Sequence, residues 1–309
     1  MLIGVACALG AGLLWGLVFI APLLLPDYPG LMLSLGRYIA FGLIALVPAL
    51  FDRRRIGRLS RDDWRMAFGL ALIGNLIYYA TLASAIQLAG APLPAMLIGT
   101  LPIVIAVTSN WGARKAIRWR LLAPSLVVIA CGLMLVNFSE LAHFDGRRSL
   151  SDYLLGCGLA TVALAAWTWY PIMNARHLQA HPHISSTTWA TAQGLATLPL
   201  AVFGALIYGS YLQFAPGGFN FPLGARPLQF ILLMLLLGFC ASWLGTLLWN
   251  RASQMLPTAL AGQLIVFETL AALLYAFLLR GNMPNWQVLL GISLLCVGVL
   301  WGLRTFHRR

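Results

Sequence analysis

A chain of 309 residues in which 61% are hydrophobic and 9% charged cannot fold as a soluble globule, because soluble domains carry charge on about a quarter of their positions. Its net charge of +12 comes from 19 arginines and one lysine that, Arg37 apart, sit in or beside short connectors between apolar runs, the pattern of membrane anchoring and not of a nucleic-acid surface. The cysteines Cys7, Cys131, Cys157, Cys240 and Cys296 fall inside those runs without paired spacing, so neither a disulfide framework nor a zinc site is expected.

Breaks rich in Pro, Gly or Arg separate ten apolar segments, near 2–24, 31–51, 65–88, 92–111, 120–137, 152–174, 185–209, 228–250, 258–279 and 286–304. About 20 apolar residues cross a hydrocarbon layer about 30 Å thick as a helix, and backbone groups in lipid must be satisfied within the segment, so each run predicts a helix. Solid blocks such as Ile231 to Leu237 lack the alternation of a membrane β-barrel. The first segment has no basic leader and no small-residue cleavage site, and reads as a retained helix. In it Trp15 and Phe19, four apart, share a face, and Gly12 and Gly16 form a GxxxG suited to close packing within the chain. The second carries Arg37 six residues from its outer end, roughly 9 Å deep. The third brings Asn75, Tyr78 and Tyr79 to mid-span. In the fourth, GAPLPAMLIGTLP, Pro92 and Pro94 can open the helix while Pro102 must open a turn in its interior. The freed carbonyl and Thr100 beside it predict a structural kink or a bend that lines a cavity. The sixth holds Trp167, Trp169 and Tyr170, and the eighth Ser242, Trp243, Thr246 and Trp249. In the ninth, Gln263 precedes LIVFETLAALL, which places Glu268 ten residues in, roughly 15 Å deep. Exposed to lipid, that carboxylate would cost roughly 2.5–3.5 kcal/mol, so it must face the bundle interior, a cavity or a cation. Arg37 is the other charge at depth and lies within pairing reach. The tenth segment repeats the GxxxG with Gly298 and Gly302.

Basic residues divide fifteen against four between the two sets of connectors, which by the positive-inside rule puts both termini in the cytoplasm. An even number of spans requires the same. The chain also echoes itself. At an offset of 167, Gln87 meets Gln254 and Trp119 meets Trp286, together with Ala85, Leu93, Leu97, Ile98 and Leu122 on their apolar counterparts. Two repeats of five helices, 1–140 and 150–305, enter the membrane in opposite senses because five is odd; such inverted repeats build transporters with a midplane site.

LLWGLVFIAP, Arg37-Tyr38, GTLPIVIAV, AAWTWYPIMNAR and LIVFETLAALLYAFLL followed by Trp286 and LLGISLLCVGVL together resemble the EamA-type transporters of the drug/metabolite transporter superfamily, over nearly the whole chain. Where family members often place Gly-Glu, this chain has Ala113-Arg114 and Arg280-Gly281, so no role carries over there. The resemblance implies an all-α membrane protein of ten transmembrane helices in two inverted repeats, in a bacterial inner membrane. It further implies export of metabolites by alternating access, with aromatic or neutral amino acids as the substrate class by analogy.

A substrate cavity is expected to draw on Trp15, Phe19, Asn75, Tyr78, Tyr79, Thr100, Trp167, Tyr170, Trp243 and Gln263, whose rings can stack a side chain while amides and hydroxyls orient its polar end. Glu268 and Arg37 are a coupling site or a structural ion pair. For any single aromatic, interfacial belt or helix packing is the competing reading. His177, His181 and His183 have metal-like spacing, but Pro182 interrupts a shared face, and no metal or other cofactor is expected. The expected partners are a small-molecule substrate and the lipid bilayer, with no nucleic acid, as a monomer or weak homo-oligomer. A multidrug exporter of lipophilic cations would use Glu268 and the rings as a cation site. A membrane-embedded enzyme would need clustered acids or histidines; GxSxG, HExxH and phosphate loops are missing from the sequence.

Overall fold

The computed structural model describes residues 1–89, 92–111, 119–141, 149–214, 219–281 and 286–307. Among these residues the regular secondary structure is all helical. α1 runs Leu2–Gly16 and continues through a 3-10 turn, Leu17–Ile20, into Ala21–Leu24; α2 is Gly30–Phe51. α3 comprises Arg61–Leu70, a π turn at Ala71–Ile77, and Tyr78–Ala89; α4 comprises Pro92–Gly99 and Leu101–Trp111; α5 is Trp119–Leu141. α6 is Leu150–Ala180 and α7 Ser186–Phe214. α8 comprises Pro227–Leu237, a π turn at Gly238–Leu244, and Gly245–Met255; α9 comprises Thr258–Leu264 and Val266–Arg280; α10 is Trp286–His307.

Among the described residues seven helices are long and apolar enough to cross a membrane: Gly30–Phe51, Arg61–Ile86, Leu150–Ala180, Ser186–Leu212, Pro227–Met255, Thr258–Leu279 and Trp286–Arg304. Leu2–Gly16, Leu101–Trp111 and Trp119–Leu135 are shorter apolar helices. Large side chains point outward, among them Leu50, Phe51, Phe203, Leu206, Leu232 and Leu236, an arrangement that only lipid can solvate well. The interior is packed with small residues, including Ala11, Ala45, Ala160 and Ala196, which let backbones approach closely.

The helices pack in pairs: α2 on α7, α5 on α10, α4 on α9, α3 on α6, and α1 on both α8 and α9. Exchanging α1–α5 with α6–α10 returns the first three pairs to themselves and turns α3 on α6 into α8 on α1. The two π turns lie 167 residues apart at both ends, the offset found in the sequence, and Trp119 and Trp286 open α5 and α10 at the same offset.

Glycines set the closest approaches. A methyl at Gly74 would sit 2.3 Å from the Tyr170 ring, and one at Gly245 would sit 2.9 Å from Trp15 Nε1. The GxxxG pairs work inside the chain: Gly12 and Gly16 lie against Phe267–Ala272 of α9, and Gly298 against Ile129 of α5.

α4 breaks at Thr100, and Leu101 and Pro102 open the second piece, where a proline's missing N–H costs little. The Thr100 hydroxyl donates to the Leu97 carbonyl at 2.6 Å, so it caps the break. α6 extends past the expected limit of 174 to Ala180 and ends where Pro182 pushes His181 out of the helical region.

Among the described residues, the basic connectors after α2, α6 and α8 meet at one end of the bundle: Thr188 bonds Asp52, and Ser186 donates to Gln254 at 2.8 Å. At the opposite end Tyr28 donates to the Leu223 carbonyl at 2.7 Å, and Arg226 pairs with Asp27 at 2.7 Å. Arg114, Lys115, Arg118, Arg147, Arg148, Arg308 and Arg309 lie outside the described residues.

Candidate functional site

A cavity of about 370 Å³ opens between α1, α2, α3, α6, α8 and α9. It begins at Pro26, Tyr28 and Gly30, at the end of the bundle tied by Arg226 and Asp27, and reaches inward to Trp167, Tyr170 and Thr246. The extra residue in a π turn rotates the next stretch of helix by about 100° relative to an unbroken one. The turn in α3 carries Asn75 and leads into Tyr78 and Tyr79; the turn in α8 carries Ser242 and leads into Thr246. All five line the cavity.

The aromatic wall is continuous. Tyr78 stacks on Trp167 with centroids 4.7 Å apart, Trp167 stacks on Tyr170 at 5.1 Å, and Trp15 meets Trp167 edge-on at 5.7 Å. Arg37 faces the same space. Its guanidinium bonds the Tyr38 hydroxyl and lies 4.4 Å from the Tyr38 ring centroid and 5.7 Å from that of Tyr79. Glu268 enters from α9. Because α9 breaks at Ile265, Glu268 falls in the first turn of Val266–Arg280, where the positive end of the helix dipole favours a carboxylate. Among the described residues the Glu268 carboxylate makes no hydrogen bond or ion pair, and Arg37 is not within ion-pair contact of it. A carboxyl group and a guanidinium thus border one cavity without touching.

Of the residues expected from sequence, the structure brings Trp15, Asn75, Tyr78, Tyr79, Trp167, Tyr170, Arg37 and Glu268 to this cavity. The side chain of Phe19 lies outside the described residues. Three expected residues sit elsewhere. Thr100 caps the α4 break as described. Trp243 is turned toward α7, donating to Thr191 Oγ1 at 3.3 Å and stacking on Phe239. Gln263 is fully buried where α9 meets α5 and α10, donating to Ser125 Oγ at 3.1 Å. Ser242 and Thr246, marked by the aromatic–polar pattern of the eighth segment, line the cavity as well, and so do Tyr38 and Phe41, which were not expected there.

Inward of the cavity the bundle is closed by a buried polar network. Tyr170 donates to Gln193 Oε1 at 2.8 Å; Asn174 Oδ1 accepts from Trp189 Nε1 at 2.8 Å and from Gln193 Nε2 at 3.2 Å; Asn174 Nδ2 donates to Asn250 at 2.9 Å. Asn174 and Asn250 have no exposed surface. The network joins α6, α7 and α8 beneath the aromatic wall. Farther toward that end, Asp63 at the start of α3 meets His177 of α6 at 3.0 Å.

The structure is similar to a solved crystal structure over 99% of this chain and 98% of the other, with a TM-score of 0.77 at 17% identity, a likeness of fold. The sequence is 49% identical to the "Inner membrane protein YtfF" of Escherichia coli (strain K12), over 98% of this chain and 96% of that protein. It is 20% identical to the "Uncharacterized transporter YoaV" of Bacillus subtilis (strain 168), over 96% of this chain and 95% of that one. Residues 2–138 match the model of the EamA-like transporter family. With apolar helices packed around a polar-aromatic cavity, and a relative of this identity along almost its whole length, the chain belongs to the EamA-like transporter family.

Proposed function

We propose that the protein is an inner-membrane exporter of small aromatic or neutral amino acids. In this reading ten spans form two inverted five-helix repeats, 1–140 and 150–305, with both termini cytoplasmic, and the halves rock about the cavity to give alternating access. The paired π turns, the exchange-symmetric helix packing and the gathering of basic connectors at one end support that architecture. The name of the relative YtfF supports the inner membrane.

One observation carries the substrate class: Arg37 and Glu268 border the same cavity beside a stacked aromatic wall without direct contact. A zwitterion answers both charges, its carboxylate at Arg37 and its ammonium at Glu268, while an aromatic or aliphatic side chain lies on Trp167 and Tyr78. A lipophilic cation would satisfy Glu268 and the rings but would meet Arg37 as a like charge, so the multidrug reading ranks second.

The test is a screen of amino acids, amines and carboxylates by melting temperature of the detergent-purified protein, since a ligand that binds the folded state raises its apparent stability. Stabilisation by phenylalanine, tryptophan or leucine, and not by phenethylamine or phenylacetate, is expected. Equal stabilisation by the bare amine would shift the assignment to cations.

A further inference from the structure

Outside the cavity, at the closed end of the bundle, Asp63, His177 and His181 bring one potential ligand atom each to within 4.8 Å of one another. His177 and His181 are four apart at the end of α6 and so share a face. The third member comes from α3, some hundred residues away in sequence, in place of His183 beyond Pro182.

Asp63 and His177 face each other, and His181 lies beside them. Asp63 Oδ2 is held by Ser60, whose backbone N–H and hydroxyl both donate to it at 2.8 Å, which leaves Oδ1 to face His177 Nε2 at 3.0 Å. His181 Nδ1 lies 2.9 Å from the His177 carbonyl. An oxygen that can only accept fixes that nitrogen as the N–H and leaves the Nε2 lone pair free, the second-shell bond that metal-ligating histidines make. His177 is clamped between the Trp189 ring, 4.5 Å away, and the His181 ring, 4.4 Å away.

Burial is the independent sign. Asp63 is 4% exposed and His177 8%, although an acid in the first turn of a helix is ordinarily solvated. Asp63 Oδ1 and His177 Nε2 make no hydrogen bond of sound geometry with any side chain or backbone group. Ligands around a tetrahedral zinc stand about 3.3 Å apart, given bonds of about 2.0–2.1 Å. Asp63 and His177 are already at that spacing, and a rotation of the half-buried His181 ring would complete a face of three.

We propose that Asp63, His177 and His181 form a site for a divalent transition-metal ion of the zinc class, with a fourth position open to water. Two imidazoles and one carboxylate suit Zn²⁺ or Co²⁺, whereas Mg²⁺ and Ca²⁺ favour oxygen cages. The bound ion clips the start of α3 to the end of α6 and so holds the first half of the chain to the second. Binding does not depend on what the cavity carries.

The experiment uses full-length protein purified in detergent without a histidine tag and stripped with chelator. Titration with Co²⁺ is expected to give the intense visible bands of a four-coordinate ion, displaced by Zn²⁺, and Zn²⁺ but not Mg²⁺ is expected to raise the melting temperature. His181→Ala, at a half-buried position where folding should survive, is expected to abolish the bands. Asp63→Asn, which can still accept from Ser60, is expected to weaken binding at least roughly tenfold. Absence of Co²⁺ bands in the wild type, or bands and stabilisation unchanged in His181→Ala, would overturn the site.

Discussion

In the proposed reading, a zwitterionic substrate sits between Glu268 and Arg37, which line the same cavity without direct contact. Glu268→Gln removes the anion but keeps shape and hydrogen bonding. The account therefore expects a zwitterion to lose affinity by roughly tenfold or more, the value of one charge-assisted bond of about 1.5–3 kcal/mol, while uncharged analogues bind as before. Isothermal titration would check this, and equal losses for both would count against the charge role. Trp167 stacks on two rings, so Trp167→Ala should cost about 0.5–1.5 kcal/mol per lost aromatic contact and weaken aromatic ligands more than aliphatic ones in the same titration. Asn174 serves the structure: Asn174→Ala strands Trp189 Nε1 and Asn250 Oδ1 in a dry interior. That should cost about 1–3 kcal/mol for each stranded group, visible as a lower melting temperature in detergent. At this scale the sequence was partly legible. Rings and charges stood out against an apolar background, and most of them do meet at the cavity. Gln263 stood out equally, yet it packs on Ser125, because polarity marks a side chain that needs a partner without saying whether the partner is a ligand. Asp63 drew no expectation, since its partner His177 is distant in sequence and nothing local announces it.

Among the elements, the π turns of α3 and α8 decide which side chains reach the cavity, and they were not legible. ALIGNLI and GFCASWL have the apolar character of any span, and the added residue leaves no compositional trace. Its effect explains Trp243: Ser242 points into the cavity while Trp243 turns to Thr191. The break in α4 was legible through Pro102, but its place at Thr100, and the use of the threonine hydroxyl to cap Leu97, came from local hydrogen bonding. Thr100→Val should then leave ligand affinity unchanged while lowering the melting temperature, by about 0.5–1.5 kcal/mol for the lost bond. A drop in affinity at unchanged stability would return Thr100 to the binding site. Gly74 makes the opposite case. Its hydrogen lies against the Tyr170 ring, so Gly74→Ala must shift either α3 or the ring. Overpacking of this kind costs about 1–3 kcal/mol, and because Tyr170 closes the aromatic wall, ligand affinity should fall along with stability.

For the molecule as a whole, the spacing of Pro, Gly and Arg made the helical segments legible because a membrane sets one length for all of them. It did not reveal which helices pack together, for in lipid that is settled by small residues and glycine contacts rather than by a hydrophobic face. The packing that results places a cavity between helices from both halves of the chain, lined by Arg37 and Glu268 among others and closed on its inward side by Asn174, Gln193 and Asn250. The central claim is that this cavity carries amino acids across the membrane. Counterflow of radiolabelled phenylalanine into liposomes loaded with unlabelled phenylalanine, containing the purified protein, tests it most directly. The account predicts saturable uptake that unlabelled tryptophan or leucine inhibits and that Trp167→Ala and Glu268→Gln depress at equal reconstitution. Uptake no greater than in protein-free liposomes, or uptake indifferent to both substitutions, would contradict it.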